Sequence, residues 1–413
     1  MSAEIPCVDG RRAERGTGSG SMEQVSALSD PSVPVVPSPQ TSGTPMERYD
    51  YDLPESAIAQ EPIEPRSAAR LLVGPGLGAG AEYAHSTMAE LPGILRPGDV
   101  LVVNETRVLA ARLDLVKATG GRAEVLLVEP LGPAPADGVT VWEALVRPGR
   151  RLPAGTMLYE AMHATSTAPT GPPVVEVGMP IDADPEGAGT RRIRLLDPSV
   201  VARAGAMPLP PYIRRPLTND DRYQTVYSHA RELVDQSAAA PTAGLHFTPE
   251  LMEECRAAGA TLARVDLSIG LDTFRPITAD TAEAHIIHSE RYSVPPETVA
   301  ACANAERVVA VGTTVVRALE SAAATGTLQG RTDLYVHGAY EFRVVDVLVT
   351  NFHLPRSSLL LLVEAFCGPQ WQDLYASALA DGYRFLSFGD AMVIPRSGPK
   401  GAAVWDVPKE PSK

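Results

Sequence analysis

The sequence predicts an α/β protein with a separate β-rich lobe, and changes of texture along the chain predict it. From Leu71 to about Val200, short apolar runs are broken by Gly and Pro, as in LLVGPG, RPGDVLVVN, ARLDLV, AEVLLVEPL, VWEALV, PVVEVG and RRIRLL. That is the spacing of strands and turns. After Ala206, helical stretches alternate with β-branched runs, the pattern of an α/β domain. A third texture precedes both: residues 1–45 are rich in Ser, Pro, Gly and Thr and contain no aromatic residue. Such a segment cannot bury enough apolar surface to offset the entropy of ordering. The expected organisation is a disordered tail over 1–45 with the working start at Met22 or Met46, a main α/β domain over 46–70 and 201–396, a β-rich lobe over 71–200, and a C-terminal tail over 397–413.

Each element has a local reason. Within the lobe, segments 134–140 and 163–190 are heavy in Ala, Pro, Thr, Gly and Asp and read as exposed loops. TPELMEECRAAGA is a helix entered through a Thr cap with Pro next, and TLARVDLSI is a strand. ETVAACANAER is a helix, VVAVG a strand, and TTVVRALESAAATG a helix again. At Asn351-Phe352-His353-Leu354-Pro355 a further helix begins, with Pro in the first turn, and its body LLLLV is core. No internal repeat of 20–50 residues is present.

Composition narrows the class. The chain has 413 residues, 44% apolar and 21% charged, which is ordinary globular usage. Lys plus Arg number 36 against 50 Asp plus Glu, a formal charge of −14, so a nucleic acid must meet a local basic patch rather than a general positive field. The longest apolar run, Leu359 to Val363, is far short of the roughly 18 residues of a membrane helix. Cys7, Cys255, Cys302 and Cys367 show neither zinc-site nor disulfide spacing and read as free thiols. The N-terminus lacks the apolar core of a secretory signal. A cytoplasmic protein is expected.

Four strings after Ala206 hold more polar and special-geometry residues than packing requires: MPLPPYIRRP (207–216), DRYQTVYS followed by APTAGLHFT (221–248), GTTVVRALES (312–321) and TNFHLPRSSLLLLVEAF (350–366). With YDYDLPESAIAQEP (49–62), RPGDVLVVNETRV (96–108) and YRFLSFGDAMVI (383–394), they resemble the S-adenosylmethionine:tRNA ribosyltransferase-isomerases of queuosine biosynthesis, from about Tyr49 to about Pro395. The resemblance implies a larger α/β barrel-like domain with a smaller β-barrel lobe. It also implies a reaction in which the ribosyl moiety of S-adenosylmethionine passes to 7-aminomethyl-7-deazaguanine at the tRNA wobble position and rearranges to epoxyqueuosine, releasing adenine and methionine. The implied partners are S-adenosylmethionine as co-substrate and a tRNA with a GUN anticodon, with no metal and no further cofactor.

The chemistry asks for a base near the 5′ carbon, because a carbon beside a sulfonium is acidic, and for an acid to help adenine leave. His246, His285, His288 and His353 lie in the motif-bearing half, and histidine serves in either role near neutrality. His285 and His288 also allow a metal-site reading, but no third ligand stands at a recognisable spacing, and Pro295–Pro296 points to a strand at the end of the segment. Gly312-Thr313-Thr314 opens a helix after a strand, an anion site for a methionine carboxylate or a phosphate, with Arg317 one turn along. A plain capped helix with an Arg317–Glu320 pair is the bland alternative. Thr242 and Gly244 allow close backbone approach to a flat ligand such as adenine, on which Phe247 stacks unless it is a core aromatic. Thr350, Asn351 and His353 face a cleft at the next helix entrance. Arg147/Arg150/Arg151, Arg191/Arg192/Arg194 and Arg214/Arg215 are basic clusters, and the last pair, within a motif, is the expected tRNA contact.

Three segments depart from the family pattern: Arg66-Ser67-Ala68-Ala69-Arg70-Leu71, Ser268-Ile269-Gly270-Leu271-Asp272-Thr273-Phe274-Arg275-Pro276, and His337-Gly338-Ala339-Tyr340. Ser268 stands where a His is expected and Asp272 where a Gly is expected. Asp272 can pair with the aminomethyl cation of the acceptor, or with Arg275. These changes keep two alternatives open: a paralogue that uses S-adenosylmethionine on a small-molecule acceptor, and a catalytically silent tRNA-binding protein.

Overall fold

The computed structural model describes residues 43–405 apart from 79–81, 133–137, 162–166, 182–188, 230–231, 234–235 and 271–275. Its strands and helices run in the order β1 (Arg70–Val73), β2 (Ala84–Thr87), β3 (Asp99–Asn104), β4 (Arg112–Lys117), β5 (Arg122–Pro130), β6 (Thr140–Arg147), β7 (Met157–Ala161), β8 (Pro169–Pro180), β9 (Arg191–Leu195), α1 (Val200–Ala204) and β10 (Gly205–Ala206). The second half adds α2 (Pro249–Ala257), β11 (Thr261–Leu267), β12 (Glu290–Ser293), α3 (Pro296–Asn304), β13 (Arg307–Val311), α4 (Thr313–Thr325), β14 (Gln329–Thr332), β15 (Val347–Asn351), α5 (Ser358–Cys367), α6 (Trp371–Ala380) and β16 (Ala391–Pro395).

Two sheets organise these elements. The larger has the order β14-β12-β11-β3-β13-β15-β16-β1-β2, and the smaller β10-β4-β5-β6-β9-β8-β7. Pairing of β4 with β7 closes six strands of the smaller sheet into a barrel, so the α/β fold with a β-barrel lobe is as expected. The strands over 70–104, grouped by texture with the β-rich lobe, hydrogen-bond into the large sheet instead. The reason is visible in β3: all six of its residues are buried. Val100 and Val102 enter one core while Leu101 and Val103 enter another on the opposite face, the signature of a strand covered on both sides. β6 instead alternates, with Thr140, Trp142, Ala144 and Val146 turned into the barrel core.

Other elements differ from expectation for local reasons. Most of 163–190 that is described is strand, because Val174, Val175 and Val177 in β8 pack into the barrel core. Residues 43–45, counted with the tail, are held: the Thr44 N–H and hydroxyl both donate to Glu283 at 2.8 and 2.9 Å, and Pro45 bridges to Thr281. The rest of the expected tail lies outside the described residues. α2 begins as anticipated, with the Thr248 hydroxyl accepting from Leu251 N–H at 3.2 Å and Pro249 next. α5 does not begin at Pro355. Its cap is Ser357, whose hydroxyl accepts from Leu360 N–H, and Arg356 before it is left-handed at φ 54°. Cys255, Cys302 and Cys367 are buried free thiols, and burial pushes each up to about 12. Cys7 lies outside the described residues. Among the described residues no helix is long and apolar enough to cross a membrane.

Candidate active site

β3 runs parallel to β11 and β13, and β13 parallel to β15. Their carboxyl ends, Asn104, Leu267, Val311 and Asn351, therefore lie along one edge, where open α/β sheets form ligand crevices. Three small cavities gather there. One of about 30 Å³ is lined by Thr242, Ala243, Gly312, Thr313, Thr314, Asn351 and His353 among others. A second of about 30 Å³ shares Thr242, Asn351 and His353 and adds Tyr212 and Ser387. A third, of about 40 Å³, is lined by Gly270, His285, His288, Glu290, Arg317 and Tyr335 and meets the first at Leu359.

The first cavity is built by backbone geometry as much as by side chains. Gly312 has φ +95°, which turns the chain from β13 into α4. No side chain caps the first turn of α4, so its positive end faces the cavity wall formed by Thr313 and Thr314. Asn104, fully buried, fixes this entrance. Its Nδ2 donates to Thr314 Oγ1 at 3.3 Å and to Leu267 O at 3.0 Å, while its Oδ1 accepts from Leu267 N–H at 3.1 Å and Thr106 N–H at 3.2 Å. Opposite, the Thr242 hydroxyl donates to Asn351 Oδ1 at 3.0 Å, and Asn351 Nδ2 donates to Leu386 O at 3.2 Å. Thr242, Gly312, Thr313, Thr314, Asn351 and His353, scattered over more than a hundred positions, thus share one cavity.

The histidines part company. His353 is buried with Nε2 at 3.2 Å from Thr350 Oγ1 and Nδ1 at 3.4 Å from Tyr375 Oη. Tyr375 Oη also accepts the His353 N–H at 3.0 Å, and Tyr51 donates its hydroxyl to His353 O. Burial pushes its pKa down to about 3, so the ring is neutral at physiological pH. His246 lines none of these cavities; its two ring nitrogens sit 3.1 Å from Ala243 O and 2.9 Å from Gly389 O. Burial lowers its pKa too, and its geometry is that of a brace between two chain segments. His285 and His288 line the third cavity, His285 edge-on to Tyr335 with centroids 5.5 Å apart. The stretch between the turn at Ala282–Ala284 and β12 is not helical, so the helical metal spacing does not arise.

Gly244 and Phe247 do not form a shelf for a flat ligand. A Cβ on Gly244 would stand 2.0 Å from Tyr227 Oη, so the space that glycine leaves is filled by a tyrosine. Phe247 is fully buried and packs at 72° against the same Tyr227 ring, 6.4 Å away, and is a core aromatic. Arg317 pairs with Glu290 rather than Glu320. Glu320 instead accepts the N–H groups of Arg343, Val344 and Val345. Arg214 and Arg215 are exposed and pair with the exposed Glu55 and Glu61. Asp272 lies outside the described residues. Asn104, Tyr212, Tyr335 and Tyr375 belong to the site or hold it, yet did not stand out as candidates. An Asn ending an apolar strand, as in DVLVVN, is the signal that was available for the first.

The family model described as "Queuosine biosynthesis protein" matches residues 46–394. The chain belongs to this family. A Moorella thermoacetica protein named S-adenosylmethionine:tRNA ribosyltransferase-isomerase is 46% identical over 364 residues, covering 84% of this chain and 99% of the relative. Proteins of the same name from Thermus thermophilus, at 46% over 364 residues, and Rubrobacter xylanophilus, at 45% over 353 residues, are equally similar. A crystal structure of S-adenosylmethionine tRNA ribosyltransferase from Thermotoga maritima is 34% identical, covers 84% of this chain and 99% of its own, and superposes with a TM-score of 0.44. In this queuosine-family chain the unusual Ser268 lines a groove of about 580 Å³ with Asp266, Arg291 and Arg331, and the His337 ring lies 4.6 Å from that of Tyr335, tilted by 39°. Neither Ser268 nor His337 lines the first cavity; His337 contacts the third through Tyr335.

Two outcomes follow from these contacts. Gly244→Ala drives a methyl group into Tyr227 and is expected to cost about 1–3 kcal/mol of stability, part of which Tyr227→Phe in the same chain restores, as read from urea unfolding midpoints. For His353 the sign is fixed by burial: below about 6.5, the value of an unfolded histidine, the unfolded chain takes up a proton that the folded chain refuses until about 3. Stability is therefore full above that range and falls as pH drops through it, by up to about 1.4 kcal/mol per pH unit for this one group. His353→Gln should fall less steeply between about pH 6.5 and 4.5; an equally steep fall would place the acid sensitivity in other groups.

Proposed function

We propose that this chain transfers and isomerises the ribosyl moiety of S-adenosylmethionine onto 7-aminomethyl-7-deazaguanine at the wobble position of a GUN-anticodon tRNA, in the cytoplasm and with no further cofactor. The products are epoxyqueuosine, adenine and methionine. The observation that carries this reading is likeness along essentially the whole length of relatives that bear the S-adenosylmethionine:tRNA ribosyltransferase-isomerase name. The cavities gathered at the carboxyl edge of the sheet support it.

The residues divide the work by environment. Thr242, Asn351 and the α4 entrance form a polar, water-poor pocket for the adenosyl end of the donor. His353, neutral and fixed by Thr350 and Tyr375, offers a directed hydrogen bond there rather than a cationic proton source. His285 and His288, less enclosed, line the third cavity and are the histidines placed to exchange protons with a ligand there during ring opening. Tyr212, whose hydroxyl meets Ser387 Oγ at 2.8 Å, lines the cavity that also holds His353. Arg214 and Arg215 follow two and three residues after Tyr212 in the chain. Exposed ion pairs are worth little, so a tRNA phosphate can displace Glu55 and Glu61 from them and take a bidentate contact.

With the enzyme, donor and tRNA carrying the aminomethyl base, adenine should be released in step with base modification and no S-adenosylhomocysteine should form. S-adenosylhomocysteine without adenine would overturn the reading, and adenine release that needs only a free base would make the acceptor a small molecule. Arg214→Ala with Arg215→Ala should weaken tRNA binding and reduce its salt slope by about 2, leaving donor binding alone. An unchanged slope would make these arginines plain surface charge.

A further inference from the structure

The third cavity holds two hydrogen-bond donors that protein groups do not satisfy. Arg317 lies one turn beyond Thr313 on the same face of α4 and is only 7% exposed. Its Nε donates to Leu334 O at 3.1 Å and its Nη1 to Glu290, while its buried Nη2 has no partner. Tyr335 lines the same cavity, and its buried hydroxyl is likewise without a partner. Glu290 holds Arg317 in place and is itself anchored, since its Oε1 accepts the Gly270 N–H at 2.8 Å. Native structures leave few buried donors unpaired, because each costs the desolvation of the group.

Guanidinium nitrogen carries only donors, and a tyrosine hydroxyl on the same cavity supplies another, so the complement is an acceptor, and an anionic one pairs best. The cavity, about 40 Å³ and walled on one side by Ser358, Leu359 and Leu362, has room for a group of carboxylate size. A phosphodiester would have to continue as chain in both directions. Leu359 is shared with the adenosyl pocket, so a ligand reaching from one to the other passes a single side chain.

We propose that Arg317 Nη2 and the Tyr335 hydroxyl bind the α-carboxylate at the methionine end of S-adenosylmethionine, an assignment that rests on the donor reading above. The contact selects donors that carry an intact amino-acid end. Because Glu290 offsets the charge of Arg317, recognition rests on two aimed donors more than on net field.

The test is calorimetric binding of S-adenosylmethionine and of its decarboxylated analogue to the full chain, to Tyr335→Phe and to Arg317→Lys. The wild type should prefer the carboxylated donor at least about tenfold, and Tyr335→Phe should weaken that donor about five- to tenfold while leaving the analogue within about twofold. Arg317→Lys should erase most of the preference. Tyr335→Phe keeps the Arg317–Glu290 pair, so it decides the matter even if Arg317→Lys does not fold. Wild-type binding of both donors with equal affinity, or equal loss of both in Tyr335→Phe, overturns the carboxylate assignment. So does weakened tRNA binding in Tyr335→Phe with donor binding untouched. Wild-type binding of neither donor overturns the donor reading itself.

Discussion

Where β3 ends, the chain must leave the large sheet for the barrel while its neighbour β11 runs on, and the backbone of β11 would lose its partner there. Asn104 prevents this. Its side-chain amide takes both the N–H and the C=O of Leu267, as a further residue of β3 would have done, and uses its remaining capacity on Thr106 and on the Thr314 hydroxyl. One buried side chain thus completes the sheet edge, turns the chain out and holds the start of α4. The return crossing is handled alike. The Gln224 amide takes both backbone groups of Val108 at 3.0 and 2.8 Å, and the Ser237 hydroxyl accepts Ile269 N–H at 2.8 Å. These are buried polar groups with their bonding satisfied, the condition under which they fix one arrangement instead of destabilising it.

The placement of the cavities follows from that constraint. The carboxyl ends of β3, β11, β13 and β15 are drawn to one edge, and the segments leaving them are too tightly braced to fill the space. Gly312 at φ +95° turns the chain into α4 on one side, and the Thr242–Asn351 bond fixes the wall opposite. Dehydration of this edge then sets the chemistry. His353 is held neutral by burial, a suitable neighbourhood for the sulfonium of the proposed donor, which a buried imidazolium would repel.

The alternation of helix and strand after Ala206 was legible because each element carries its own punctuation: Thr248 with Pro249, Gly312 before α4, Gly326 left-handed after it. The sharing of one cavity by Thr242, Gly312, Thr313, Thr314, Asn351 and His353 was legible only through motif strings, since no local pattern reports which strand ends meet. What escaped reading has a common cause. β3 and β4 are grouped together by the Gly and Pro that break the runs around them, and the pairing that assigns one to the large sheet and the other to the barrel is tertiary. Gly244 reads as room for a ligand until Tyr227 is known to occupy it, and Glu320 reads as the partner of Arg317 until backbone N–H groups from 343–345 claim it. Local spacing shows that a polar group is available, not which distant group takes it.

The acidic balance of the chain and a polyanionic partner are reconciled by the segment at 49–62. Gln60 donates through Nε2 to Tyr212 O at 2.9 Å and accepts the Arg214 N–H at 2.8 Å, so it grips the MPLPPYIRRP segment on both sides of Ile213. From the same segment Glu55 and Glu61 pair with Arg214 and Arg215. The arginines are therefore neutralised at long range, which leaves the overall field negative, yet they are held on a braced backbone beside the Tyr212 cavity. An encounter guided by field alone is disfavoured for such a protein, while a phosphate that arrives in register meets guanidinium groups already anchored at the backbone. On the function proposed above, selection by fit rather than by charge is the consequence, and recognition falls to groups fixed by the backbone instead of to the overall field.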